Sequence, residues 1–137
     1  MKSLSFDKIK IGTKKKFTTI INYSDIDKFS KVSGDYNVIH LDKNKAKIKD
    51  FKDRVVHGAQ IFSLFSKLIG TELPGNNSLI LYIDMKFKNP AYPNKEISIT
   101  GTVIEKYVSV NSIMVELIAR YKKGKIISAG TATIKLL

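Results

Sequence analysis

Asp35 and His40 stand five residues apart in the segment Phe29–Ala46, FSKVSGDYNVIHLDKNKA, which Gly34 and Asn37 shape. A carboxylate within hydrogen-bond reach of an imidazole orients the ring and stabilises its protonated form. With a water between the two groups, such a pair moves a proton at neutral pH. Hydratase, dehydratase and hydrolase chemistry are all open to it. The same spacing suits a plainer role, in which Asp35 satisfies loop amides after a helix end and His40 is an ordinary loop histidine. Spacing alone favours the plainer role.

Gly58 is the second candidate. It stands in Val56-His57-Gly58, at the entry to a long apolar run. A backbone N–H there is left unpaired by the helix, and the helix dipole favours negative charge. The missing side chain permits close approach, so the N–H suits a developing oxyanion such as a thioester oxygen. Relief of crowding between helix and sheet explains the glycine equally well. Ser66 lies on the flank of Phe62 at the edge of the apolar stripe, where its hydroxyl either faces a pocket or bonds back to its own helix. With no base near it in sequence, Ser66 is a poor nucleophile. His57 reads as a structural helix-entry histidine. The chain has no Walker-type glycine loop, no dinucleotide fingerprint and no metal-ligand helix pair, so nucleotide hydrolysis, hydride transfer and metalloprotease chemistry lack support.

The elements that must position these residues follow from pattern. Phe17, Thr19 and Ile21 lie in a β-rich run that predicts a first strand, after a basic triplet, Lys14 to Lys16, suited to a solvated sheet edge. Ser24 with Asp27 predicts the start of a helix that Gly34 ends, and Asp42 is placed to cap a short helix over Lys43 to Lys49. Ile61, Phe62, Leu64, Phe65, Leu68 and Ile69 fall at helical spacing between Ala59 and Gly70, a stripe wide enough to predict a buried central helix. Leu81, Ile83, Met85 and Phe87 alternate with polar residues and predict a strand with that set inward. Three further strands are expected around Ile97–Val103, Ile113–Ala119 and Ile126–Leu137. Gly101 and Gly130 fall inside strands, where glycine marks a bulge or a close approach. The order predicts an α+β fold, with one long buried helix wrapped by a curved antiparallel sheet of about five strands, the last four forming a meander.

Composition bounds the rest. A chain of 137 residues supports one domain, taken as 1–137, and 43% hydrophobic residues set it apart from disordered chains. No apolar stretch reads as a membrane span, and the start of the chain lacks a secretory pattern, so a cytoplasmic location is the default expectation. The absence of cysteine excludes disulfides and thiol chemistry, and with two histidines a metal site is not expected. The net charge of +12 points to a polyanionic partner or phosphate-bearing ligand, although scattered lysines are more simply a compositional habit.

The stretch Phe29 to His40 with Ala46, the Val56-His57-Gly58 triplet, Gly70-Thr71-Glu72-Leu73-Pro74-Gly75 and Met85 to Pro90 together resemble the R-specific enoyl-CoA hydratases, the MaoC-like dehydratases of the hot-dog fold. The resemblance covers most of the chain. It departs at Val38, where the family usually has a proline that would stiffen the loop between Asp35 and His40.

The resemblance implies that Asp35 and His40 activate one water, which adds across a trans-2-enoyl thioester to give the R-3-hydroxyacyl product. Gly58 N–H would bind the thioester oxygen, and Asn37, Phe62 and Ser66 would contact substrate. It implies a homodimer that joins two sheets, and no cofactor beyond the coenzyme A or phosphopantetheine of the substrate, with acyl-CoA or an acyl carrier protein as partner. Neither nucleic acid nor membrane is expected to bind. A thioesterase on the same fold, and a non-catalytic acyl-CoA or nucleic-acid binding module, are the alternative readings.

Overall fold

The computed structural model describes residues 3–137. A 3-10 turn at Phe6–Lys8 precedes β1 (Lys14–Ile20), α1 (Tyr23–Ser33), two short helices, α2 (Val38–Leu41) and α3 (Lys43–Ile48), and the long α4 (Gly58–Thr71). Four strands follow: β2 (Ser78–Phe87), β3 (Glu96–Tyr107), β4 (Ser112–Tyr121) and β5 (Ile126–Leu136). All pairings are antiparallel, in one five-stranded sheet of order β1-β3-β4-β5-β2. Among the described residues no helix is long and apolar enough to cross a membrane.

The expected meander over the last four strands needs correction. Only β3, β4 and β5 form one; β2 lies on the far edge beside β5, and β3 pairs with β1 instead. The connection between β2 and β3 holds Pro90 and Pro93, and its polar groups are committed elsewhere. Val56 N–H donates to Ala91 O, Lys88 N–H to Ile127 O, and the Tyr121 hydroxyl to Pro90 O. The segment therefore bridges across the ends of other strands rather than closing a hairpin.

The inward face of β2 also differs from simple alternation. A bulge between Ile80 and Tyr82 shifts the register, so Ile80 packs on the core with Ile83 and Met85 while Leu81 is more than half exposed; Phe87, in phase with Met85 at the end of the strand, is also more than half exposed.

Ile61, Phe65, Leu68 and Ile69 of α4 are buried, and the helix packs on β1, β2 and β3. Gly101 on β3 permits that approach: a Cβ there would stand 2.8 Å from a Leu68 methyl. Gly130 on β5 is required by the sheet itself, since a Cβ would meet Asp84 O at 2.0 Å.

Helix α1 begins earlier than Ser24 suggested. Asn22 is the N-cap: its side chain accepts from Asp25 N–H at 2.9 Å, and the Asp25 carboxylate accepts from Asn22 N–H at 3.0 Å, a reciprocal capping box. Asp42 caps α3 as expected, accepting from Lys45 N–H at 3.0 Å.

Candidate active site

Gly34 closes α1 in the left-handed conformation, φ 75° and ψ 7°, and its N–H donates to Ser30 O. The turn it opens is held by short side chains. Asp35 N–H donates to Ser33 Oγ at 3.1 Å, Asn37 N–H to Asp35 Oδ1 at 3.1 Å, and Ile39 N–H to Asn37 Oδ1 at 3.3 Å. Asn37 thereby caps α2, the helical turn that carries His40.

His40 is buried. Its Nδ1 lies 2.7 Å from Val55 O, and a carbonyl only accepts, so Nδ1 carries the proton. The neutral ring then presents its lone pair at Nε2, 3.6 Å from Asp35 Oδ2. Two acceptors at that separation do not bond to one another, but a water can donate one hydrogen to each. Both sequence roles of Asp35 are therefore realised by different oxygens. Oδ1 satisfies a loop amide and Oδ2 faces the imidazole, with the side chain half exposed.

Further groups, unmarked in the sequence, fix this geometry. Arg54 Nε donates to His40 O, while its terminal nitrogen pairs with Asp27 on α1 and its guanidinium lies 5.1 Å over the Tyr23 ring. Beside it, Tyr23 donates to Asp53 at 2.6 Å, and this bond is the chief cause that raises the tyrosine above its ordinary value. Burial works against the Asp53 carboxylate, yet Tyr23, Arg54 N–H, Lys43 and Lys47 together hold its pKa below the usual value.

His57 belongs to the site as well as to the helix entry. Its ring stacks on His40 at 3.8 Å with 24° between planes, and Phe29 tilts against it at 5.0 Å. Its Nε2 lies 3.1 Å from Asp35 O and 3.2 Å from Ser30 Oγ, so the protonated nitrogen anchors the backbone of the residue whose side chain faces His40. Burial is the main cause that lowers the His57 pKa, and the charge of His40 adds to it.

Asp35, His40 and His57 have ligand atoms within 4.8 Å of one another. Their arrangement does not suit a cation. The Asp35 carbonyl requires a proton on His57 Nε2, and near-parallel stacked rings direct their nitrogens side by side rather than toward a common centre.

Gly58 is the first residue of α4 and lines a cavity of about 330 Å³ with His40, Ile61, Phe87, Pro90 and Ile127. The lining is mainly apolar, with the imidazole and the helix N-terminus at one wall. The structure thus places His40 and Gly58 on one cavity, while Asp35, which faces His40 Nε2, and Asn37, in the supporting turn, do not line it. Phe62 and Ser66 do not line this cavity; Phe62 is half-buried and Ser66 exposed on α4, and Ile61 is the side chain that α4 presents. Val55 O, which sets the histidine tautomer, left no signal in the sequence, because any residue supplies a carbonyl.

Residues 7–122 match the family described as MaoC like domain. The (R)-specific enoyl-CoA hydratase of Aeromonas caviae is 27% identical over 97% of this chain and 99% of its own length. The enzyme of the same name from Rhodospirillum rubrum is 29% identical over 94% and 89%. In three dimensions the R-hydratase PhaJ1 of Pseudomonas aeruginosa, unliganded, superimposes with a TM-score of 0.92 at 29% identity, covering 98% of this chain and 86% of that one. The A. caviae structure gives 0.91 at 27% identity, over 94% and 98%. With five antiparallel strands around one long helix and a family match that spans most of its length, the chain belongs to the MaoC-like dehydratases of the hot-dog fold.

Proposed function

We propose that this protein catalyses the reversible, R-specific hydration of trans-2-enoyl thioesters to (R)-3-hydroxyacyl thioesters. The observation that carries the reading is the separation of 3.6 Å between the acceptors Asp35 Oδ2 and His40 Nε2, with His40 and Gly58 lining one mainly apolar cavity.

A water held by this pair gives up one proton to it as the water oxygen bonds to the β-carbon of the enoyl group. The π electrons move toward the thioester, and negative charge grows on its oxygen, which the Gly58 N–H and the α4 dipole stabilise. The pair then returns a proton to the α-carbon and ends unchanged. Oxygen and hydrogen of one water are thus added and no redox partner is needed. The apolar wall of Ile61, Phe87 and Ile127 receives the acyl chain.

The reading includes a homodimer that joins its sheets. In its support, β2 is an edge strand that exposes Leu79, Leu81 and Tyr82, each at least half accessible. Asn37, Phe62 and Ser66 remain proposed substrate contacts, and because none of the three lines the cavity of one subunit, the second subunit would have to complete the surface.

Loss of enoyl absorbance with crotonyl-CoA tests the activity, and release of free thiol from a saturated acyl-CoA tests the thioesterase alternative. Asp35→Asn and His40→Ala are each expected to lower kcat by about 10²–10⁴. Full activity in either variant refutes the assigned mechanism.

A further inference from the structure

A second cavity, of about 520 Å³, lies beside the first, and Asn89 and Pro90 line both. Its wall carries Lys52, Lys95, Lys123 and Lys125 and no carboxylate. These lysines come from three separate places in the chain: the loop after α3, the turn before β3, and the β4–β5 hairpin. Among the described residues none of the four forms an ion pair. Of the acids next to these lysines in the chain, Glu96 is taken by Lys122 at 3.3 Å, and Asp53 accepts from Tyr23 at 2.6 Å and pairs with Lys43. Four unneutralised cations on one concave surface create a local positive potential that like-charge repulsion opposes, so the arrangement is completed by a polyanion.

The floor beneath the lysines is fixed. The Tyr121 hydroxyl donates to Pro90 O at 2.7 Å and accepts from Tyr92 N–H at 3.0 Å, and the Tyr92 hydroxyl accepts from Lys52 N–H at 3.2 Å. Asn89 donates to Ile126 O at 2.7 Å. Only Ile126 separates Lys125 from Ile127 in the first cavity, two steps or about 7 Å at the rise of an extended chain. A ligand that reaches both cavities must be apolar and acyl at one end and polyanionic at the other.

We propose that this lysine-lined cavity binds the phosphates of the adenosine 3′,5′-bisphosphate portion of coenzyme A, which makes the CoA ester, rather than a carrier-protein thioester, the preferred substrate. The proposal rests on the hydratase reading for the thioester end only. A carrier-bound acyl group brings a single phosphodiester to the site and leaves most of the four charges unanswered.

The test compares wild type with Lys95→Glu/Lys123→Glu, using Lys14→Glu/Lys16→Glu on β1 as a control of equal charge change. Calorimetric titration with adenosine 3′,5′-bisphosphate is expected to show binding by wild type and the control and at least a tenfold loss in the cavity variant, an estimate of roughly threefold or more per exposed lysine. With crotonyl-CoA the cavity variant is expected to lose about tenfold in kcat/KM through KM, with kcat retained, while kcat/KM for crotonyl-pantetheine stays unchanged. Equal bisphosphate affinity in wild type and cavity variant overturns the proposal. So does equal use of crotonyl-CoA and crotonyl-pantetheine by wild type, or a preference for the carrier-protein thioester. If no thioester is turned over, the hydratase reading fails, and the bisphosphate titration alone decides the site.

Discussion

Gly58→Pro isolates one hydrogen-bond donor. Proline is accommodated at the first position of a helix, where the N–H it lacks has no intrahelical partner, and Gly58 holds that position in α4. His57, before it, already lies at φ −56° and ψ 134°, the extended region that a residue preceding proline requires. The added Cβ would stand 3.2 and 3.3 Å from the Phe87 ring. That ring is 54% exposed and can move. Gly58→Ala introduces the same Cβ and keeps the N–H, so the ratio of the two variants reports the exchange of the donor hydrogen for the proline Cδ methylene. Loss of one oxyanion donor costs about 10²–10³ in kcat, about 2.7–4 kcal/mol of transition-state stabilisation. The loss should appear in kcat, because the charge that the donor stabilises develops after binding. The assay is hydration of crotonyl-CoA at saturation, with thermal unfolding expected to remain within about 1 kcal/mol of wild type. If Gly58→Pro is folded and turns over as fast as Gly58→Ala, the Gly58 N–H is not the oxyanion donor.

Arg54→Met keeps the aliphatic stem but removes the guanidinium that joins His40 O to Asp27; kcat should fall about tenfold with KM nearly constant, and Arg54→Lys should not restore it, since an ammonium lacks the planar fork. Wild-type kinetics retained in Arg54→Met would show that His40 is positioned without it. His57 titrates below its ordinary value of 6.5, so the unfolded chain takes up a proton that the folded one refuses. Stability is therefore full above pH 6.5 and falls as pH drops from there toward the folded value, with a slope of at most about 1.4 kcal/mol per pH unit from this group; denaturant unfolding across that range should show His57→Gln to be flatter than wild type. Val38→Pro should leave the fold intact and stabilise it by about 0.4–1 kcal/mol, because Val38 opens α2 and Asn37 before it is already at φ −56° and ψ 132°; a lower melting temperature would contradict this geometry.

What was legible in the sequence is what is built from neighbouring residues. The turn around Asp35 is held by bonds that span two to four positions, from Ser33, Asp35 and Asn37, so residue type and spacing carry its shape. The buried stripe of α4 repeats within one helix and is equally local. Strand partnership is not, and the pairing of β2 with β5 depends on how residues 88–95 are tied to distant carbonyls. A one-residue bulge at Leu81 was enough to turn part of the expected inward face outward. At α1 two overlapping acidic boxes, Asn22 with Asp25 and Ser24 with Asp27, compete, and the earlier pair closes both of its bonds. His57, taken as a helix-entry residue, is that in position, yet its stacking on His40 depends on a fold that brings α4 and α2 together.

Val38 shows how a departure from the family pattern is absorbed. A proline at this place would restrict the chain through its ring, and a valine does not. The loop is instead restricted from both sides of that residue. Before it, Asp35 Oδ1 and Asn37 Oδ1 each hold an amide two positions on; after it, Val55 O holds the His40 ring, and Arg54 holds the His40 carbonyl. His57 ties the two halves, bonded to the Asp35 carbonyl through Nε2 and stacked on the His40 ring. The separation between Asp35 Oδ2 and His40 Nε2 is consequently set by contacts from three segments, α1 with its turn, residues 54–55 and the entry to α4, none of which passes through the Val38 side chain. Stiffness at this one position is redundant to the water-holding geometry, so a proline there should raise stability while leaving kcat where valine puts it.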